Sequence, residues 1–307
     1  MSRRLRAWFA SSGVLVCGLI TTVGCGPADA PVPPGSPPAR ADRTELAVDL
    51  ATARSTFTTK LRVNGRAPQR YQNDRPPVGV KQVEFTSGQL RLRGWLSADP
   101  GEGRKRPAVV YLHGGWAFGL GDWEDAAPFA EAGFVLFMPM LRAENGNPGI
   151  YESFLGEVDD AIAAGRYVAS LPYVDDRNVF VAGHSVGAVL TCLTAMMPSP
   201  YKAAAALDGY VDMESWAELS PPAHVPYDRN NRDEIRVRNP MTFIGSLRCP
   251  LTLYAGRACL EVNKPFAARA RQLGKDCELV VVPGDHLAMV APAVTKAIVW
   301  FHGLAGN

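Results

Sequence analysis

Short apolar runs alternate with amphipathic stretches over most of the chain. From Ala108 to Leu112, Phe134 to Met138, Val179 to Ala182, Ala203 to Leu207, Leu251 to Ala255 and Leu279 to Val282, nearly every position is apolar. That is the pattern of strands buried on both faces. Between and after them, Trp123 to Glu131, Tyr151 to Ser170, Val186 to Met197, Pro265 to Leu273 and Ala288 to Phe301 read as helices. Upstream, Val83, Phe85, Leu90, Leu92 and Trp95 form two alternating runs around Ser87-Gly88, so Val80 to Trp95 reads as a hairpin at the start of the sheet. Repeated strand–helix units imply an α/β fold built on a mainly parallel sheet with helices on both faces. At 307 residues and 47% hydrophobic, the chain can bury a full core as one large α/β domain.

The first part of the chain lacks this rhythm. Ser2-Arg3-Arg4-Leu5-Arg6 is a basic start, and Ala7 to Val23 is an uncharged, mostly apolar run, short for a membrane span. Residues 1–24 therefore read as a secretory signal. Thr22-Val23-Gly24-Cys25 resembles a bacterial lipobox, with Thr22 where Leu is usual, so Cys25 is expected to carry lipid. Gly26 to Ala41 is rich in Pro, Ala and small residues and reads as a semi-extended tether. The expected layout is a signal (1–24), a lipid-anchored tether (25–42) and a folded domain (43–307). It describes an exported lipoprotein held at the cell-envelope membrane; the alternative is a secreted or periplasmic protein cleaved nearby. Between Arg43 and Pro77, Glu45 to Phe57 fits a short helix and Asn64-Gly65 a turn, with no clear pattern otherwise.

Charge removes one class of function. The chain carries 32 basic and 30 acidic residues, and the expected signal holds three of the arginines and no acid. The remainder is close to neutral, without a basic stripe or interleaved aromatics, so no nucleic-acid partner is expected.

The chemistry centres on Val179 to Ala195, VFVAGHSVGAVLTCLTA. Gly183 to Gly187 spells G-x-S-x-G between a buried strand and a helix, the strand–turn–helix setting that presents a nucleophilic serine, here Ser185. Side chains at the two glycines would strike the neighbouring strand and helix. The N–H of Val186 and the helix dipole face an oxyanion forming beside Ser185. After the strand Ala108 to Leu112 comes His113-Gly114-Gly115-Trp116. The N–H of Gly115 or Trp116 is the expected second oxyanion donor, with His113 bracing the loop.

The stretch from Tyr111 to Met197, with LHGGW, the strand ending Met138-Pro139, Leu141-Arg142, the long helix and AGHSVG, resembles the α/β-hydrolases. It is most similar to the branch holding the prolyl oligopeptidase catalytic domain and the dienelactone hydrolases, with the likeness running from about Val80 to the C-terminus. This implies the α/β-hydrolase fold: a mainly parallel eight-stranded sheet, helices on both faces and a small cap insertion. Only a tether and a short lead-in stand where prolyl oligopeptidases carry a β-propeller, so no propeller is expected. Dienelactone hydrolases use cysteine where this chain has Ser185. The resemblance further implies the order serine, acid, histidine. Pro283-Gly284-Asp285-His286 follows a late strand as the family's histidine loop does, making His286 the general base. His184 lies inside the elbow, His224 in a Pro-rich insertion and His302 on a helix near the chain end. For the acid, the family's G-x-x-D-x-x-V reads Gly256 to Val262 here, with Cys259 at the aspartate position. Glu261, two residues on, is the first choice; Asp208, ending the preceding strand, is the alternative.

Cys249 and Cys277 each precede a strand, and the implied strand order makes those strands parallel neighbours, so a Cys249–Cys277 disulfide is expected. Cys192 reads as helical core. No Cys/His spacing suggests zinc, and no metal or cofactor is expected. Residues 210–245 interrupt the alternation and read as the cap; Trp116, Trp123, Tyr210 and Trp216 are candidates to line an apolar pocket, and Arg142 and Glu144 lie in another strand-end loop. The expected function is a serine hydrolase cleaving a carboxylic ester or amide, its partner a small-molecule ester or short peptide. Ester hydrolysis is favoured, since no acidic pair stands out to bind a peptide amine. The alternatives are a prolyl oligopeptidase-like peptidase and, because the aspartate is displaced, a non-catalytic binding protein of hydrolase fold.

Overall fold

The apolar runs pair into one eight-stranded sheet in the computed structural model, which describes residues 48–306 apart from Pro100 and Glu102. The expected signal, tether and lipidated Cys25 lie outside the described residues. No described helix is long and apolar enough to cross a membrane. β1 (Lys81–Ser87) and β2 (Leu90–Leu96) form the expected hairpin, and β2 runs antiparallel to β4 (Val135–Pro139). The remaining strands are parallel: β3 (Arg106–Leu112), β5 (Val174–His184), β6 (Ala203–Leu207), β7 (Leu251–Ala255) and β8 (Cys277–Val281). Their order is β1-β2-β4-β3-β5-β6-β7-β8.

Period-two alternation decides what each face packs against. Ala108, Val110 and Leu112 of β3 join a core with α3 (Gly156–Ala169), α4 (Val186–Ala195) and α7 (Leu260–Gln272). Val109 and Tyr111, one position out of phase, face the opposite core under α2 (Leu120–Glu131) and α8 (Val290–Ala305). There Phe180 of β5 stacks on Phe301 of α8 at 4.4 Å, a pair contributing about 0.5–1.5 kcal/mol beyond its buried area.

Two helix boundaries depart from the periodicity for local reasons. α3 begins five residues later than Tyr151 because Ser153 and Phe154 are left-handed, with φ of 54° and 67°. α7 begins at Leu260, with Cys259 as its N-cap and Pro265 inside it, rather than at the proline.

Two irregular segments close over the carboxyl ends of the strands. The insertion between β6 and β7 carries α5 (Met213–Leu219), α6 (Arg232–Arg236) and short 3-10 turns at Pro222–His224 and Pro240–Ser246. It is fastened by the buried Arg238, which donates to Ser153 O (2.8 Å) and Glu234 Oε2 (2.7 Å) and lies over the Tyr227 ring. The second segment, residues 56–80, follows α1 (Leu50–Ser55) and forms a strap. Lys60 N–H donates to Glu234, Arg62 N–H to Pro226 O and Ala67 N–H to Ala143 O. Gly65 O accepts from Tyr151 N–H. The strap thus ties the insertion to the loop after β4.

The expected disulfide does not form: Cys249 and Cys277 are free thiols. β7 and β8 are parallel neighbours, but Leu251, not Cys249, stands opposite Cys277. A two-residue offset across neighbouring strands puts the α-carbons about 8 Å apart, beyond disulfide reach.

Candidate active site

The sharp turn after β5 is enforced sterically. A Cβ on Gly187 would sit 2.0 Å from Leu112 O, and one on Gly183 would sit 2.4 Å from Gly187 O. Ser185 between them adopts φ 57°, ψ −114°, a sparsely populated conformation that costs about 1–3 kcal/mol and is held by its surroundings. Its N–H donates to Leu207 O of β6. The neighbouring strand ends are laced in the same way: Asp208 N–H donates to Tyr254 O, Gly256 N–H to Asp208 Oδ1 (2.8 Å) and Arg257 N–H to Gly284 O.

These strand ends converge on His286. Ser185 Oγ lies 2.9 Å from His286 Nε2, and His286 Nδ1 lies 2.7 Å from Asp208 Oδ2. Because a carboxylate accepts, the ring hydrogen sits on Nδ1 and leaves Nε2 to accept from the serine hydroxyl. Asp208 is fully buried, so this bond is shielded from water.

Glu261, the first choice for the acid, is not part of this chain of bonds. It lies on the exposed first turn of α7 and pairs with Lys264 at 2.6 Å. Asp208 takes the place because β6 and β7 are neighbours with Leu207 opposite Tyr254. The end of β6 therefore opens onto the same imidazole that the β7 loop approaches. Cys259, in that β7 loop, is buried beside the pair; burial and the Asp208 charge push its thiol up to about 12, so it stays protonated.

His286 is steadied from behind. The loop carrying it is closed by Asp285 Oδ1, which accepts from Leu287 N–H and Ala288 N–H. His184, within the elbow, has Nε2 2.8 Å from His286 O. Burial and the neighbouring His286 lower its pKa to about 4. It is therefore neutral at pH 7, and the tautomer with hydrogen on Nε2 donates to that carbonyl.

The oxyanion loop is braced as the sequence suggests. Buried His113 places Nε2 3.0 Å from Glu144 Oε2, which also accepts from Leu141 N–H. Burial opposes the charge on His113, but Glu144 outweighs it and raises its pKa to about 9. Glu144 is thereby a brace, and Arg142 is engaged by Asp160 through Nε and Nη2. Of the two donor candidates, Trp116 N–H already donates to Gln69 Oε1 of the strap at 2.9 Å. Gly115, at φ 70°, has the Gln69 carboxamide against its α-carbon. Among the described residues no acceptor engages the N–H of Gly115 or of Val186.

Of the aromatic candidates, Trp116 and Trp216 come together, with Tyr151, Phe154 and His224 around the Trp116 ring. Trp123 packs instead on Trp95 in the far core. The roles of Gln69 and His184 were not legible in the sequence: each acts through a single bond to backbone, which leaves no motif.

The sequence profile of the prolyl oligopeptidase family matches residues 125–286, more than half of the chain. The chain belongs to the prolyl oligopeptidase family. The matched segment holds Ser185, Asp208 and His286, whereas the Gly115 loop and the strap precede it. Among curated relatives, an uncharacterized peptidase of Bacillus subtilis (strain 168), YtmA, is 32% identical over 130 residues, 42% of this chain and 50% of that protein. The chain thus spans about half the length of the curated relative it matches. Among solved structures, a puromycin-hydrolyzing peptidase of Mycobacterium tuberculosis superposes with a TM-score of 0.63 at 18% identity, covering 74% of this chain and 40% of the other. An acylaminoacyl peptidase of Pyrococcus horikoshii gives 0.58 at 18%, covering 72% and 40%. A hyperthermophilic esterase of Pyrobaculum calidifontis gives 0.61 at 20%, covering 75% and 87%. At these identities the structural likenesses establish the α/β-hydrolase fold that this member of the prolyl oligopeptidase family shares.

Proposed function

We propose that the protein is a serine hydrolase that cleaves a carboxylic ester, or an amide, through an acyl-enzyme on Ser185. The observation that carries this reading is the continuous chain of hydrogen bonds from Ser185 Oγ through His286 to buried Asp208. As Ser185 attacks the substrate carbonyl, its proton passes to His286 Nε2. The imidazolium so formed keeps Nδ1–H on the Asp208 carboxylate, which stabilises its charge and fixes the ring. Negative charge on the former carbonyl oxygen is received by the N–H groups of Gly115 and Val186, aided by the N-terminus of α4. Each such donor contributes about 10²- to 10³-fold to kcat. His286 then returns the proton to the leaving alcohol or amine, and water repeats the sequence on the acyl-enzyme.

Esters are the favoured substrates. The esterase of Pyrobaculum calidifontis is among the solved structures that share this fold. The half-buried Trp216 of the insertion, packed on Trp116 behind the oxyanion loop, supports an apolar acyl group. Peptide hydrolysis is the second reading, favoured by the name of the Bacillus relative and by the family itself. With the Asp208 carboxylate on His286, the displaced aspartate no longer argues for a non-catalytic binding protein. Export on a lipid anchor at Cys25 remains part of the proposal, carried by the lipobox-like Thr22 to Cys25.

A fluorophosphonate probe tests the nucleophile: rapid labelling of the wild type, lost in Ser185→Ala, is expected. No labelling of the folded wild type refutes the reading. Comparing short acyl esters with aminoacyl and dipeptidyl amides separates the two substrate classes.

A further inference from the structure

Asp208, Cys259 and His286 are widely separated in sequence, yet a carboxylate oxygen, the Cys259 sulfur and a ring nitrogen of His286 all lie within 4.8 Å of one another. The nitrogen facing Asp208 is Nδ1, at 2.7 Å. Three points so close share a centre no farther than about 2.8 Å from each, against roughly 2.3 Å for zinc–thiolate and 2.0–2.2 Å for zinc–imidazole or zinc–carboxylate bonds. Bonds of those lengths at a tetrahedral ion set the nitrogen and oxygen about 3.3 Å apart, so Asp208 and His286 part by roughly half an ångström while the sulfur closes in, which completes three bonds to one ion. The donors also match in kind, since thiolate, imidazole and carboxylate together suit zinc-like cations rather than magnesium or calcium. One thiolate and one carboxylate cancel a divalent charge, which matters because Asp208 and Cys259 are both buried.

We propose that this triangle is an inhibitory site for a thiophilic divalent cation, Zn2+ or Cd2+. The inhibition, though not the binding, rests on the hydrolase reading above. The change balances without redox chemistry. The cation takes a lone pair from each of Sγ, Nδ1 and the carboxylate oxygen, and Cys259 releases its thiol proton to solvent. The hydrogen that Nδ1 held moves to Nε2, so the ring stays neutral and one proton leaves per ion bound. Nε2 then carries a hydrogen where it needs a lone pair, and Ser185 loses its base. The cation thus replaces the one hydrogen that orients the imidazole. Cys259 takes no part in the hydrolysis itself. It stands where the family's motif has aspartate and so brings a third donor close to the imidazole that Asp208 already engages.

The test uses the full-length protein, with Cys259→Ala, Cys259→Val and His286→Ala variants. Inhibition of ester hydrolysis by Zn2+ is read against each variant's own metal-free rate. The wild type is expected to be inhibited and restored by a chelator, and both Cys259 variants to need at least about tenfold more Zn2+. Binding is read separately, by equilibrium dialysis with Zn2+ and by the ultraviolet thiolate-to-metal absorption of Cd2+. Wild type and Ser185→Ala are expected to bind one ion more than the Cys259 and His286 variants. Cys192, Cys249 and Cys277 are present in every variant, so the difference reports Cys259. Equal binding in wild type and the Cys259 variants overturns the proposal, as does equal sensitivity to Zn2+. If the wild type turns over no substrate the hydrolase reading fails, and dialysis still decides the site.

Discussion

Exchanging Asp208 for asparagine changes one atom and separates the role of its charge from that of its shape. Asp208 Oδ1 accepts from Gly256 N–H at 2.8 Å while Oδ2 faces His286 Nδ1 at 2.7 Å. In Asp208→Asn the bond to Gly256 keeps the amide oxygen on that side, so the NH2 group faces Nδ1. Two donors cannot share that contact, and the ring hydrogen moves to Nε2, against the serine. Wrong-tautomer substitutions of this kind lower kcat about 10⁴-fold in other serine hydrolases, or about 5 kcal/mol of transition-state stabilisation. KM should change little, because the pocket is untouched, and the thermal midpoint should hold, because volume and the Gly256 bond are retained. Glu261→Gln is the control: its side chain is exposed and paired with Lys264, and kcat should be unchanged. Steady-state hydrolysis of a short acyl ester, with thermal melts of the same samples, makes the measurement. Retention of more than about a tenth of wild-type kcat in Asp208→Asn would refute the reasoning, as would an equal loss in Glu261→Gln.

Two further outcomes follow from the oxyanion loop. The pKa of His113 is raised from 6.5 to about 9 by Glu144 against the opposing effect of burial. Its contribution, about 3 kcal/mol at most, is fully present below pH 6.5 and is lost as pH rises toward 9. Denaturant melts across that window should show this decline in the wild type and lose it in Glu144→Gln. In Gly115→Ala, the φ of 70° and a Cβ 2.5 Å from Gln69 Oε1 should displace the strap side chain and re-aim the Gly115 N–H. The protein should still fold, since Gln69 is exposed and can move, with kcat reduced about 10²-fold or more in ester hydrolysis.

The strand pattern was readable because parallel strands buried on both faces are continuous apolar runs: β6 and β7 begin and end where the sequence places them. Ser185 and the two elbow glycines were readable because local sterics dictate them. The position of His286 followed from resemblance to the histidine loop. The acid was not fixed by either route. Asp208 and Glu261 are both near strand ends, and choosing between them needs the lateral pairing of Leu207 with Tyr254, a relation between residues 47 positions apart. The disulfide failed for the same kind of reason, a register offset of two residues that no local pattern records. The strap was opaque because its order comes from backbone groups of distant loops and from the side chain of Glu234, not from periodicity of its own.

The strap also has a place in time. During synthesis it emerges before every strand, yet its partners at Ala143, Pro226 and Glu234 come far later. Just ahead of it, Leu50 N–H waits for Ser246 Oγ, 196 residues downstream. Contacts of such separation close late, because the intervening chain must first be gathered in. A nascent chain can therefore build β1 to β6 and set the elbow before the strap and insertion have each other to hold. The carboxylate–imidazole–hydroxyl chain is completed later still, when β8 delivers His286. Hydrolytic competence, on this ordering, is acquired at the end of folding.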